Sequence, residues 1–533
     1  MRLSDVRAGM QCEGLSVIRG TAITAFDVEV IDVIQGDSAA PGARILVRVS
    51  GPAVEPSGVG PGFSGSPIYC QGSDGVRRNA GAISESVGEF GNKIALATPI
   101  EQILGQSPEA PASARSAPAL RRSARPIATP LTVSGLSSPV RRRLARAAKR
   151  AGALVLAAPS GPLGGFPAQD LRPGSSVSAG IAGGDLSLGS IGTVAYRDGS
   201  AIWAFGHPID AAGQRALALQ DAYVFAVINN PLGTEEAITT KLAVPGHTLG
   251  IFSNDGLNQI AGRLGAPPRT IRMRVNVRDS DTGRAAGLAA DVTDERDLEL
   301  GSALDVVGAL AIAQASGQVL GSAPPRFSTE MCVRIRLRER KRRLGFCDSY
   351  QEAFGPFDDL SAAVGLIDGF KFGRITPTDV SVRMQVRRGV REAFVLSAAA
   401  PRRVRPGQRI RVRLLLQRRR GDRFRLSFAM RVPRSLKPGV RLLTLRGIVP
   451  ASLQDAAEDG IEVVLEDLLG GGVNDEAGSR SVPALAAGIA DLGAPDGLRA
   501  TFSSRGRGPV VLRRPGLLVR GKVRLPVRVL KRR

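Results

Sequence analysis

The stretch PGFSGSPIYC, Pro61 to Cys70, sets two serines between two glycines and ends in an apolar run. Nucleophilic catalysis by serine needs the hydroxyl on a tight turn, with backbone N–H groups aimed at the developing oxyanion. In Gly62-Phe63-Ser64-Gly65 the predicted nucleophile is Ser64, and the N–H groups of Gly62 and Ser64 form the predicted oxyanion hole. Gly65 leaves room behind the serine, and Ser66 is a small structural residue. A serine nucleophile also needs a base, and the 533-residue chain has two histidines, His207 and His247. His207, in a GHP turn at the end of a hairpin, is the predicted base; His247, in VPGHTLG, is assigned no role. The acid that orients the histidine stays open between Glu55, Asp185 and Asp255. No cysteine has metal-site spacing, so neither a metal nor a cofactor is expected.

The elements that must position these residues read mainly as β. Residues 1–105 carry alternating strands (FDVEVIDVI, ARILVRV) and close in ATPIEQIL, where Thr98 is expected to cap a short helix with Pro99 at its first position and Glu101 completing a capping box. Residues 106–165 form a Pro/Ala/Arg linker containing SSPVRRRLARAAKRAG, a basic amphipathic helix that places Val140, Leu144, Ala147 and Ala151 on one face. Residues 166–325 return to β, with GTVAYRDGSAIWAF as a hairpin turning at Asp198-Gly199 and His207 just beyond it. A hairpin and helical connector occupies 326–375 and a β-sandwich 376–450. A helix near Leu453–Leu469 and a closing strand, GKVRLPVRVL, follow within 451–533.

Composition narrows the function classes. The chain holds 72 Lys+Arg against 48 Asp+Glu, a net charge of +24. Arg409, Arg411 and Arg413 alternate with Ile410, Val412 and Leu414, the pattern of a solvated strand face, so no specific nucleic-acid partner is expected. The basic helix at 139–151 is a candidate contact for an anionic surface. No apolar run is read as long enough to span a bilayer, and no export segment precedes Met1. The expected location is the cell envelope or outside if such a segment is missing from this start, and the cytoplasm otherwise. Cys332 and Cys347 flank a basic turn and are expected to face each other across a hairpin; Cys12 and Cys70 share the first β domain, where a bridge and free thiols are both allowed.

In combination these motifs resemble the SpoIVB-type serine peptidases, family S55. That family's serine half runs strand, strand, GxSGSP, apolar strand and a TPIE-like helix start, as does Phe26–Leu104 here. Its histidine half carries a hairpin similar to IGTVAYRDGSAIWAFGHP. The resemblance spans roughly residues 8–270. It implies a chymotrypsin-like pair of β-barrels with Ser64 and His207 in the crevice between them, a protein or peptide substrate, and limited regulatory proteolysis at the cell envelope. In sporulation members the histidine half comes first; here the halves are swapped, as in a reversed-order bacterial subgroup. Those members also place an Asp ahead of GxSGSP, where this chain has Ser50-Gly51-Pro52, and they carry a PDZ-like segment that is not evident here. Two alternatives follow: a degenerate peptidase fold used for binding or scaffolding in the envelope, and, more distantly, an anionic-polymer or nucleic-acid binder.

Overall fold

The computed structural model describes residues 1–35, 42–86, 92–109, 130–150, 155–158, 166–229, 239–296, 298, 302–321, 327–350, 355–389, 391–448, 480–493, 497–502, 510–513 and 517–531. They fall into two compact units. The first takes Met1–Arg272 and Ala289–Val307; the second takes Met273–Leu288 and the described residues from Gly308 onward.

The first unit opens with β1 (Gln11–Val17), β2 (Ile23–Ile34), β3 (Arg44–Ser50), β4 (Pro67–Gln71), β5 (Arg77–Ser86) and β6 (Ile94–Pro99). They close into a barrel in the order β1-β2-β3-β6-β5-β4. Period-two patterning drives this: Phe26, Val28 and Val30 on β2, and Ile45, Val47 and Val49 on β3, all point into one core. The register of β1 on β4 sets Cys12 opposite Cys70, and a disulfide joins them. The short helix α1 (Ile100–Leu104) ends this segment, without the expected cap. Because β6 runs on through Pro99, Thr98 belongs to a strand, and its hydroxyl donates to Gly206 O at 2.7 Å. Glu101 accepts instead from the Leu3 N–H.

The same unit continues with β7 (Leu131–Ser134), helix α2 (Ser138–Arg150), β8 (Val155–Ala157), β9 (Ser176–Gly184), β10 (Ser187–Asp198), β11 (Ala201–Ala204), β12 (Gly213–Ile228), β13 (Thr240–Gly256) and β14 (Gln259–Leu264). Pairing runs β9-β12-β13-β14-β11-β10, and β10 pairs back onto β9, so these six strands also form a closed circuit. The expected hairpin is present: Asp198 pairs with Ala201 around Gly199, whose φ is +54°. Helix α2 buries Val140, Leu144, Ala147 and Ala148 and exposes Arg142, Arg146, Lys149 and Arg150; Ala151 lies outside the described residues.

Strand β15 (Thr270–Asp279) and strand β16 (Ala285–Thr293), whose end pairs with β9, precede helix α3 (Ala303–Leu320). This helix corrects two expectations, that 166–325 is β throughout and that no apolar run has spanning length. By length and composition it would cross a bilayer, yet 78% of it is buried within the fold. It is apolar on nearly every side, so it shows no amphipathic period to read.

In the second unit β17 (Phe327–Leu337) and β18 (Leu344–Tyr350) form the basic hairpin, with Cys332 bridged to Cys347. Helix α4 (Gly355–Asp368) and strand β19 (Pro377–Arg388) follow. The sandwich expected over 376–450 starts later and ends later. Strand β19 pairs with β17 instead, while β20 (Glu392–Ala399), β21 (Arg403–Val404), β22 (Arg409–Arg418), β23 (Arg423–Arg431) and β24 (Gly439–Gly447) share one core with four tail strands. Helix α5 (Val482–Leu492) precedes those strands, which are β25 (Gly497–Thr501), β26 (Val510–Arg513), β27 (Leu518–Arg520) and β28 (Lys522–Val529). The helix expected near Leu453–Leu469 lies outside the described residues.

Candidate active site

The loop between β3 and β4 carries Ser64. It is held by short-range bonds: Phe63 N–H to Gly60 O at 2.9 Å and Ser66 N–H to Phe63 O at 2.8 Å. Gly65 sits at φ +93°, and a Cβ there would lie 1.9 Å from Thr193 O and 2.6 Å from Phe205 N. Only glycine fits this close approach of two backbones. Thr193 N–H donates to Ser64 O at 2.8 Å, which pins the serine to β10. Among the described residues the Gly62 and Ser64 N–H groups meet no acceptor.

His207 lies on the turn after β11. Phe205, fully buried, adopts φ +68°, a left-handed conformation that an aromatic residue keeps only where its surroundings impose it. The Ile83 carbonyl on β5 ties this turn to the serine loop. It accepts from Gly65 N–H at 2.6 Å, and a Cβ on Gly206 would lie 3.1 Å from it. The residues next to Ser64 and His207 therefore abut one carbonyl, although the two are 143 positions apart in sequence. No hydrogen bond joins the two side chains, and among the described residues neither Ser64 Oγ nor His207 Nε2 has a partner. Ser64 is 8% and His207 4% exposed, so the site is nearly closed.

The ring of His207 is fixed by the backbone of the next residue. Nδ1 lies 2.7 Å from Pro208 O, and a carbonyl only accepts, so Nδ1 carries the proton. In the neutral ring Nε2 is then the free base. Burial lowers the pKa of this histidine; the Pro208 bond and the charge of Glu85 act in the opposite direction.

None of the three candidate acids bonds the His207 ring. Glu55 pairs with Lys93. Asp185 accepts from Ala289 N–H at 2.8 Å. Asp255 is fully buried beneath the histidine turn and accepts from the N–H groups of Ile209 (2.8 Å), Asp210 (3.0 Å) and Ala212 (3.3 Å). It holds the turn rather than the ring. Burial, and then the neighbouring Asp210 carboxyl, push Asp255 up. Arg215 lies among Asp210, Asp255 and Glu295 and completes this buried cluster.

Three residues that the sequence did not assign to the site are found there. Thr98 holds the Gly206 carbonyl, Glu85 acts on the ring by charge from its pair with Arg44 (3.1 Å), and Lys241 lies buried beneath the serine loop. Single polar or charged residues on three separate strands make no motif, so only the fold brings them to the site. His247 is half exposed, with Nδ1 3.0 Å from the buried Asp221 carboxylate; that carboxylate also accepts from the N–H groups of His247 and Gln169. Comparison with known protein families, characterised proteins and solved structures finds no match to this chain.

Proposed function

We propose that this chain is a serine endopeptidase of the SpoIVB type, built on a chymotrypsin-like pair of barrels in swapped order, with Ser64 as nucleophile and His207 as base. The observation that carries this reading is the convergence of the two motif loops on Ile83 O, together with the unengaged N–H groups of Gly62 and Ser64. Ser64 Oγ attacks the scissile carbonyl while His207 Nε2 takes its proton. The Gly62 and Ser64 N–H groups receive the oxyanion. The imidazolium then gives its proton to the leaving amine, and water repeats the sequence on the acyl-enzyme. The orienting role of the triad acid passes to the Pro208 carbonyl, which holds the tautomer but adds no negative charge. Two disulfides suit an oxidising compartment, consistent with limited proteolysis at the cell envelope.

The absence of any carboxylate bonded to the His207 ring among the described residues favours a second reading, a catalytically silent peptidase fold that binds partners. Labelling with a fluorophosphonate separates the two. The peptidase reading expects stoichiometric labelling that Ser64→Ala and His207→Ala abolish and Ser66→Ala largely retains. An unlabelled wild type supports the silent fold.

A further inference from the structure

Beneath the serine loop lies a lysine without a counter-ion among the described residues. Lys241, on β13, is 1% exposed. Its Nζ donates to Ser16 Oγ at 2.7 Å and to Thr193 Oγ1 at 3.2 Å, and it lies 4.5 Å from the centre of the Phe63 ring. Those groups come from β1, β10 and the loop itself. None is a carboxylate, and no charged group among the described residues acts on it.

An ammonium only donates, so it sets the direction of the hydroxyls it touches. Thr193 Oγ1 accepts from Lys241 and passes its own proton to Gly62 O at 3.0 Å. Ser16 Oγ accepts from Lys241 and shares a second hydrogen bond with Ser66 Oγ at 2.8 Å. The backbone of the same lysine takes a third hold: its N–H donates to Pro61 O at 3.0 Å. Gly62 lies between these bonds. The peptide before it is held through Pro61 O and the peptide after it through Gly62 O. A trans peptide plane directs its C=O and N–H to opposite sides, so the bond at Pro61 O turns the Gly62 N–H away from Lys241. Gly62 itself, at φ +94°, packs so closely that a Cβ would lie 2.8 Å from Lys241 Cβ.

We propose that Lys241 is a positioning residue that clamps both peptide planes flanking Gly62 and thereby aims the Gly62 N–H, one of the two oxyanion donors. This rests on the peptidase reading of the same site. Burial lowers the Lys241 pKa from 10.5 to about 7, so the clamp loosens as pH rises past neutrality. The neutral amine can then accept a hydrogen bond from the Thr193 hydroxyl, which takes that donor away from Gly62 O.

The test compares wild type with Lys241→Met, which keeps the length of the side chain but removes its donors, and with Thr193→Val. Removing an uncompensated buried charge leaves the melting temperature equal or higher, whereas a merely structural lysine would lower it. The rate of fluorophosphonate labelling is expected to fall about 100-fold in Lys241→Met, a loss of the size that a misplaced catalytic group produces. The alkaline decline of the wild-type rate near pH 7 should vanish in the variant. Hydrogen exchange in the peptide Pro61–Pro67 gives a readout independent of labelling. Its protection should be lost in both variants, and in wild type should fall through the same pH range. If wild type is not labelled but the exchange result holds, the peptidase reading fails and the clamp stands. If wild type is labelled and the variants match it in rate, pH profile and exchange, the clamp is refuted and the peptidase reading stands.

Discussion

At the scale of single residues, the active-site proposal depends on protonation states that burial sets. His207 is held below its ordinary value of 6.5 mainly by desolvation. A base that stays neutral further into acid keeps working there. The acid limb of the labelling rate against pH is therefore expected below pH 6.5; a limb above it would contradict this environment. Stability follows the same sign. The folded pKa is depressed, so the contribution of His207 is complete above about pH 6.5 and lost as pH falls through the folded value. His207→Gln should narrow the drop in melting temperature over that acid range. Lys241 obeys the same rule in another window. Its folded pKa of about 7 lies below 10.5, so wild-type stability should rise relative to Lys241→Met between pH 7 and 10.5, measured as the difference in melting temperature.

At the scale of elements, two supports hold the histidine turn, and each predicts a distinct loss. Asp255 satisfies three backbone N–H groups of that turn. Asp255→Ala leaves them buried without an acceptor, with an expected cost of about 3 kcal/mol or more by denaturant melting and a labelling rate at least tenfold lower. Thr98→Val preserves shape but removes the donor to Gly206 O, with an expected cost of about 1–2 kcal/mol. An unchanged rate in both variants would show that the turn needs neither support. These supports also mark what the sequence conceals. Alternation in β2 and β3 made the first barrel legible, and GxSGSP and GHP made the serine and histidine stand out. Thr98 read as a helix cap because a threonine before Pro-x-Glu fits that local rule, but tertiary pairing extended the strand through Pro99 and redirected the hydroxyl. Asp255 stood out as a carboxylate, yet its role depends on which backbone lies above it, and no local pattern encodes that.

At the scale of the whole molecule, period-two strands and punctuating turns disclosed a mainly β chain. Helix α3 went unseen because uniform burial erases periodicity. The late sandwich strands β25–β28 complete a core begun a hundred residues earlier, a non-local pairing that strand patterns do not specify. The Cys12–Cys70 bridge closes β1 on β4 across 58 positions, next to the serine loop. Replacing both cysteines with serine should cost about 2–5 kcal/mol in chemical denaturation. The central claim is that Ser64 and His207 form one site, and the presence of two histidines permits a direct measurement: the ring 15N resonances before and after phosphonylation. We expect one ring, assigned to His207 by its absence in His207→Gln, to begin as the neutral Nδ1–H tautomer and to shift toward imidazolium once Ser64 carries the tetrahedral adduct, while His247 does not move. A His207 spectrum unaffected by the phosphonate, or a shift confined to His247, would contradict the account.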